Sequence, residues 1–147
     1  MKLPRPRKII AEKYVAGLSL FKSKRSPIKL SANESALGPS PKAVKSYNSI
    51  GKGFVRYPDS DGTFFRKILA KKFRLEKDRI ILGSGSDQIF ELVCKLFLNK
   101  RDEVIVTQYS FIIYRIYSRM CGATVKFAKE ENFTPTVQSI LDCVNRK

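Results

Sequence analysis

The stretch "ILGSGSDQIFELV", residues 81–93, decides the fold. An apolar run ends in two glycines interleaved with two serines, and an apolar pattern at helical spacing follows at once. Gly83 and Gly85 allow the backbone to approach a ligand closely. The first amides of a helix lack intrahelical acceptors, and its amino end carries a partial positive charge. Such a turn therefore suits an anion, a phosphate above all. Ser84 and Asp87 also stand at the S-x-x-D spacing of a capping box. No GK[ST] follows, so the turn is not a P-loop, and the third glycine of GxGxxG is missing. By itself it is as compatible with a plain tight connection as with an anion site.

Downstream the pattern is regular. "RIILG" predicts a strand over 79–82. The next helix carries Ile89, Leu92, Val93 and Leu96 on one face. "EVIVT" is the following strand. "SFIIYRIYSRM" predicts a helix with Ile113, Ile116, Tyr117 and Met120 on one face, stopped by Gly122. "ATVKFA" is a further strand. Thr134-Pro135 predicts the start of a last helix, with Val137, Ile140, Leu141 and Val144 facing in. Strands alternating with helices imply crossover units and a mainly parallel sheet, an α/β fold. Ligands in such folds sit at the carboxyl ends of strands, where "GSGSDQ" lies.

Upstream the signals are weaker. Residues 1–28 are basic, with Pro4, Pro6 and Pro27 as breakers, and "KYVAGLSLF" (13–21) reads as a short helix or an extended arm. Ile28 to Leu30 read as extended. Ser40-Pro41 opens a short helix to about Ser49. "GKGFVRYPDSDGT" is a turn-rich connector. Phe65, Ile68, Leu69 and Phe73 then recur at helical spacing.

Composition narrows the chemistry. A chain of 147 residues can bury one domain's core. It contains no histidine, which excludes a Ser-His-Asp or Cys-His triad and leaves no metal site expected. The three cysteines, Cys94, Cys121 and Cys143, are scattered and form no CxxC pair, so buried reduced thiols are expected. No apolar run approaches the roughly 20 residues that span a bilayer. The basic start lacks a signal-peptide h-region, so the cytoplasm is the expected location. The net charge of +16 is spread along the chain, without the aromatic-basic interleaving of an RNA-binding sheet. Solvated lysine-rich helix faces explain it better than nucleic-acid binding, and attraction to anionic metabolites fits as well.

Four segments in order, "LSANESALGPSP", "RYPDSDGTFFRKILAKKF", "ILGSGSDQIFELVCKLFLNKRDEVIV" and "YSFIIYRIYSRMCGATV", carry a resemblance. From about Ile28 onward the chain resembles the amino-terminal portion of the histidinol-phosphate aminotransferases, class I/II enzymes of fold type I that depend on pyridoxal 5′-phosphate. Threonine-phosphate decarboxylase-like proteins share much of this pattern. The resemblance implies a basic arm over 1–28, a linking segment with entrance elements over 29–60, and an incomplete large, cofactor-binding domain over 61–147. It implies that Gly85, Ser86 and Asp87 hold the cofactor phosphate and that Phe111 stacks on the pyridine ring. Tyr57 matches a tyrosine that reaches the phosphate in the neighbouring subunit. Asn33 and Glu34 match a segment near the substrate entrance. Each also has a plain structural reading: Phe111 as a core aromatic, Tyr57 as cover for the turn before Pro58, Asn33-Glu34 as polar loop residues. Tyr114 and Arg115 match the pattern too, and packing and surface roles suffice for them.

Transamination needs a Schiff-base lysine and an acid paired with the pyridinium nitrogen. The family places both later in the chain than this sequence reaches. "FKSKR" (21–25) precedes the phosphate turn and does not match the family lysine. The resemblance thus implies no catalytic residue here, and a chain inactive alone. Its completion would be a homodimer of the whole enzyme or a complementing carboxyl-terminal chain, acting on glutamate and a phosphorylated keto substrate. A sheet lacking strands should leave an open edge and a sticky apolar face. Two readings from other classes stand beside this one: a phosphate- or nucleotide-binding module without chemistry, and a basic protein that binds nucleic acid.

Overall fold

A computed structural model of the chain describes Ile9, residues 11–15, Ile28 and residues 30–145. The reading of 13–21 lies outside the described residues beyond Val15, and that of 21–25 lies wholly outside them. The chain divides into two compact units, the first made of Met1–Tyr14 and Gly83–Lys147, the second of Val15–Leu82.

In the second unit, helix α1 spans Pro41–Ser49, and the Ser40 hydroxyl caps it by accepting from the Ala43 amide at 3.5 Å. A 3-10 turn, Gly51–Val55, follows, with Phe54 folded back on Tyr47 at 5.5 Å between ring centroids. The Asp59 carboxylate accepts from the amides of Asp61 and Phe64, which organises the turn into helix α2, Thr63–Phe73. Arg66 on α2 donates twice to the Lys77 carbonyl, at 3.1 and 2.8 Å, and pairs with Asp78 at 3.2 Å. This fastens α2 to a second 3-10 turn, Lys77–Arg79. The strand expected over 79–82 does not form. Arg79 closes the 3-10 turn, and Ile80 is extended (φ −112°, ψ 121°) but has no neighbouring strand among the described residues. An apolar extended segment without a ladder partner is not a strand.

The first unit holds the βαβ order read from the sequence. Helix α3 spans Gly85–Phe97, strand β1 Glu103–Thr107, helix α4 Ile112–Cys121 and strand β2 Thr124–Ala128. The two strands pair in parallel, Glu103 opposite Thr124 through Thr107 opposite Ala128. Gly122 takes φ +90° and ends α4, as a left-handed helix terminus requires. Two hydrogen bonds extend the ladder, from the Thr124 amide to the Asp102 carbonyl and from the Gln108 amide to the Ala128 carbonyl.

The last helix departs from expectation. Thr134–Pro135 is strand β4, paired antiparallel with β3, Glu130–Glu131, across a turn in which Asn132 and Phe133 take positive φ. Helix α5 begins after it and is short, Val137–Leu141, because the Thr136 hydroxyl, not Thr134, accepts from the Ser139 amide at 3.1 Å. Val137, Leu141 and Val144 stay exposed, so that face does not turn inward.

The buried set is small: Cys94, Val106, Ile113, Ser118, Ala123 and Ala128. It sits where α3 and α4 meet the sheet. The inner side of α3 is the one bearing Phe90 and Cys94, so Leu92, Val93 and Leu96 of the expected inner face remain exposed. The expected α4 face fares better, with Ile113 buried and Ile116 and Tyr117 half-buried.

Candidate functional site

The glycine-serine turn enters α3 with its backbone already fixed. The Ser84 amide donates to the Gln88 side-chain carbonyl at 2.6 Å, and the Gly85 amide donates to the Gly83 carbonyl at 2.9 Å. The Ser84 hydroxyl makes no capping bond, so the S-x-x-D box does not form. Gln88, one residue further on, does the reciprocal work instead, because it reaches the Ser84 amide directly. The amides of Ser86 and Asp87 lie in the first turn, where no intrahelical acceptor is available. They are the donors left for an outside anion.

Gly85 takes φ +80°, a conformation that favours glycine, and a Cβ placed there would meet nothing within 4 Å. The space on that side is open. At Gly83 the opposite holds, since a Cβ would sit 2.8 Å from Ile89 Cδ1 and 3.2 Å from Gln88 Oε1. One glycine thus keeps the turn tight and the other keeps it accessible. Asp87 is half-buried, and its side chain has no hydrogen-bond or ion-pair partner among the described residues. Its carboxylate would repel a phosphate, so its amide is the group suited to one.

Phe111 stands at the end of the loop leaving the carboxyl end of β1, at the cap position of α4. The loop is held by the Ser110 hydroxyl donating to the Thr107 carbonyl at 2.8 Å and by the Tyr109 amide donating to Glu130 at 3.1 Å. Phe111 is 44% exposed. It meets Tyr14 at 6.4 Å and Tyr114 at 6.0 Å, both at right angles. Neither neighbour stacks parallel to it. Tyr114 in turn meets Phe90 of α3 edge-on at 4.7 Å. An aromatic series, Phe90–Tyr114–Phe111–Tyr14, therefore links the helix that starts at the glycine turn to the ring at the head of α4. Gly85, Ser86, Asp87 and Phe111 all belong to the first unit.

Tyr57, Asn33 and Glu34 belong to the second unit. Tyr57 is fully exposed beyond the Gly51–Val55 turn. Asn33 and Glu34 are exposed in a bend where the Glu34 amide donates to the Ala32 carbonyl.

Two participants were not foreseen. Glu12 places its carboxylate against α4, 2.5 Å from Arg119 Nη1 and 3.5 Å from Arg115 Nε. Burial pushes its pKa up, but the Arg119 hydrogen bond, its own backbone amide and the two arginine charges together hold it below the usual carboxylate value. Tyr14 is the second, through its contact with Phe111. The sequence signal available was only that Phe111, Arg115 and Arg119 recur every fourth residue, which places them on one side of a helix. A separate cavity of about 440 Å³ opens between α3, β1 and α4, lined by Phe90, Cys94, Val106, Thr107, Tyr114 and Ser118 among others. Its apolar lining does not suit a phosphate. Among the described residues no cluster of three metal-ligating side chains occurs, and no helix is long and apolar enough to cross a membrane.

Comparison with known proteins gives this geometry a context. The family model for aminotransferase class I and II matches residues 25–147. The chain is 45% identical over 147 residues to histidinol-phosphate aminotransferase of Pelagibacter ubique, covering all of this chain and 41% of that protein. It is 34% identical over 145 residues to histidinol-phosphate aminotransferase 1 of Caulobacter vibrioides, covering 99% of this chain and 40% of that protein. Among solved structures it is similar to histidinol-phosphate aminotransferase of Sinorhizobium meliloti in complex with pyridoxal-5′-phosphate. There the TM-score is 0.72 at 17% identity, over 76% of this chain and 30% of that one. The likeness carries the fold over that share of the chain. The chain spans about two fifths of the length of the curated relatives it matches, 41% and 40% for these two.

Proposed function

The chain belongs to the class I and II aminotransferase family, and from that premise we propose that it forms the cofactor-phosphate side of a pyridoxal-5′-phosphate-dependent histidinol-phosphate aminotransferase. One observation carries the reading. The turn at the head of α3 offers two first-turn amides beside a glycine at φ +80° with open space in front of it. The residues present fit the phosphate end of the cofactor. The donors are neutral amides at the positive end of a 13-residue helix, and no side chain blocks the approach at Gly85.

Bound there, pyridoxal 5′-phosphate supplies the electron sink that amino transfer requires. The protein's own part is positional. The Ser86 and Asp87 amides bind the phosphate, with the Ser86 hydroxyl as a further donor. Gly85 leaves room for its approach. Phe111, whose ring has no parallel neighbour among the described residues, covers one face of the cofactor ring and keeps water from it. Tyr57 reaches the phosphate of a second subunit, and Asn33 and Glu34 border the substrate entrance. In this reading residues 1–28 are an arm, 29–60 a linking and entrance segment, and 61–147 part of the cofactor domain. The setting is cytoplasmic. The substrates are glutamate and a phosphorylated keto compound of histidine biosynthesis, drawn in by the net positive charge. The covalent lysine and the substrate-carboxylate arginine come from sequence corresponding to the remainder of the relatives, in a homodimer or a complementing chain.

Pyridoxamine 5′-phosphate tests the binding half, because it lacks the aldehyde that reacts with any surface lysine. The expected result is binding at least about tenfold tighter than that of pyridoxamine, the worth of roughly one charge-assisted hydrogen bond. Equal binding of the two, or binding of inorganic phosphate and nucleotides with the same affinity, overturns the assignment in favour of a general phosphate module. Turnover of imidazole-acetol phosphate with glutamate by the 147 residues alone would refute the claim that the reactive lysine lies elsewhere.

A further inference from the structure

The arm contact on α4 points beyond phosphate binding, and it rests on the reading of Phe111 just given. Phe111 at the cap of α4 and Arg115 and Arg119 on it follow one another at four-residue spacing. Four residues of helix advance about 6 Å along the axis, and two residues of extended chain cover at most about 7 Å. Glu12 and Tyr14 are two residues apart. Glu12 meets Arg115 and Arg119 while Tyr14 meets Phe111, so the arm runs along α4 in the opposite direction, in step with it. The attachment is partly enclosed, with the Glu12 side chain 35% exposed. Glu12 Oε2 and Arg115 Nε are shielded from solvent without a hydrogen-bond partner, and the Arg115 guanidinium lies 5.8 Å from the Phe127 ring of β2. Arg115 is thereby held between the arm and the sheet.

We propose that Glu12 and Tyr14 form a positioning clamp for Phe111. Glu12 pins the arm to α4 through Arg115 and Arg119, and Tyr14, set edge-on against Phe111, fixes the tilt of the ring that covers the cofactor. Both act through Phe111 and are positioning residues. Phe111 has its backbone at the mouth of a loop, and the residue is nearly half exposed. Tyr114 restrains it from one side, and Tyr14 supplies the second restraint.

The test uses the full chain carrying 4-fluorophenylalanine at position 111, read by fluorine NMR, together with pyridoxamine 5′-phosphate titrations. Tyr14→Ala should shift and broaden the fluorine resonance and weaken binding by about two- to tenfold, the range of one edge-to-face aromatic pair. Tyr14→Phe should restore both, since it keeps the ring. Glu12→Gln should move the resonance in the same direction as Tyr14→Ala, although the partners of the Glu12 carboxylate are Arg115 and Arg119. Far-UV circular dichroism of each variant confirms that α4 is intact. An unmoved resonance in Glu12→Gln or in Tyr14→Ala overturns the clamp. So does a moved resonance with unchanged affinity. If the unsubstituted chain binds no pyridoxamine 5′-phosphate, the functional reading fails, and the fluorine shift still decides whether the arm orients the ring.

Discussion

The side chain of Gln88 accepts a 2.6 Å hydrogen bond from the amide of Ser84, four residues before it. That bond closes the glycine turn onto α3 and leaves the Ser86 and Asp87 amides as the donors facing outward. Gln88→Ala should lower stability by about 0.5–1 kcal/mol, the lower part of the range for a helix-start cap, because the turn is exposed and water partly replaces the bond. Urea denaturation with an unchanged slope is the measurement. Gln88→Glu should keep most of the stability, since the acceptor remains, yet weaken phosphate binding through its added charge. Equal stability of Gln88→Ala and the unsubstituted chain would mean the bond does not hold the turn.

Gly85→Ala should cost about 1–2 kcal/mol, the penalty of a left-handed conformation for a residue with a Cβ. Crowding plays no part there, because the added atom meets nothing within 4 Å. Gly83→Ala is strained for the other reason. Its Cβ would sit 2.8 Å from Ile89 Cδ1, which must shift, and 3.2 Å from Gln88 Oε1, so only the Gln88 share of its effect should disappear in a Gln88→Ala background, while the effect of Gly85→Ala should not change. Thermal or urea denaturation of the two pairs of variants reads the difference.

Glu12 gives a pH dependence of known sign. Its folded-state pKa is held down, so the carboxylate binds fewer protons folded than unfolded. The stability it contributes is present above the ordinary glutamate pKa and is lost as pH falls through the lowered folded value. Its side chain is about a third exposed (35%), so solvent screens the pair and the effect is modest. The unsubstituted chain and Glu12→Gln should therefore differ in melting temperature at neutral pH and converge in acid. A difference that persists undiminished below the carboxylate range would show that charge is not what pins the arm.

Cys94 should be the last of the three thiols to react. Burial pushes its pKa up, the Ser118 hydroxyl 4.0 Å away offsets this in part, and Cys121 adds to the rise. Cys121 and Cys143 are half-buried. Ellman's reagent at mildly alkaline pH should label two thiols well before the third, and Cys94→Ala should remove the slow phase. Loss of a fast phase in that variant would contradict the burial.

The parts of the fold that the sequence revealed are those in which local chemistry decides. Ser40-Pro41 started α1, Gly122 ended α4, and "EVIVT" and "TVKFA" became parallel neighbours. The misreadings came where a partner at a distance decides. "RIIL" has strand composition, but a strand exists only beside another strand, and none flanks it among the described residues. Thr134 and Thr136 are equally good helix caps by composition, and the β3–β4 pairing claimed the first. At the site, the tight turn before α3 was legible as a glycine-serine pattern ahead of a helical one. The Glu12 and Tyr14 contacts were not, since more than ninety positions separate them from their partners on α4 and no spacing rule spans that distance.

The parallel pair also bears on how the chain acquires its structure. β1, α4 and β2 occupy one continuous run, 103–128, with a closing hydrogen bond near each end of the ladder. Joining the strands requires closing only the segment between Thr107 and Thr124, an entropic cost that grows slowly with length. The paired residues stand 21 positions apart, from Glu103 with Thr124 to Thr107 with Ala128, and α4 fills the span between them with local helical contacts. At a synthesis rate of roughly 5–20 residues per second, the run leaves the ribosome whole before anything that follows it. It is placed to act as the folding nucleus on which α3 and the arm then dock. Ile113→Val and Val106→Ala should accordingly slow refolding, while changes in α5 should mainly speed unfolding.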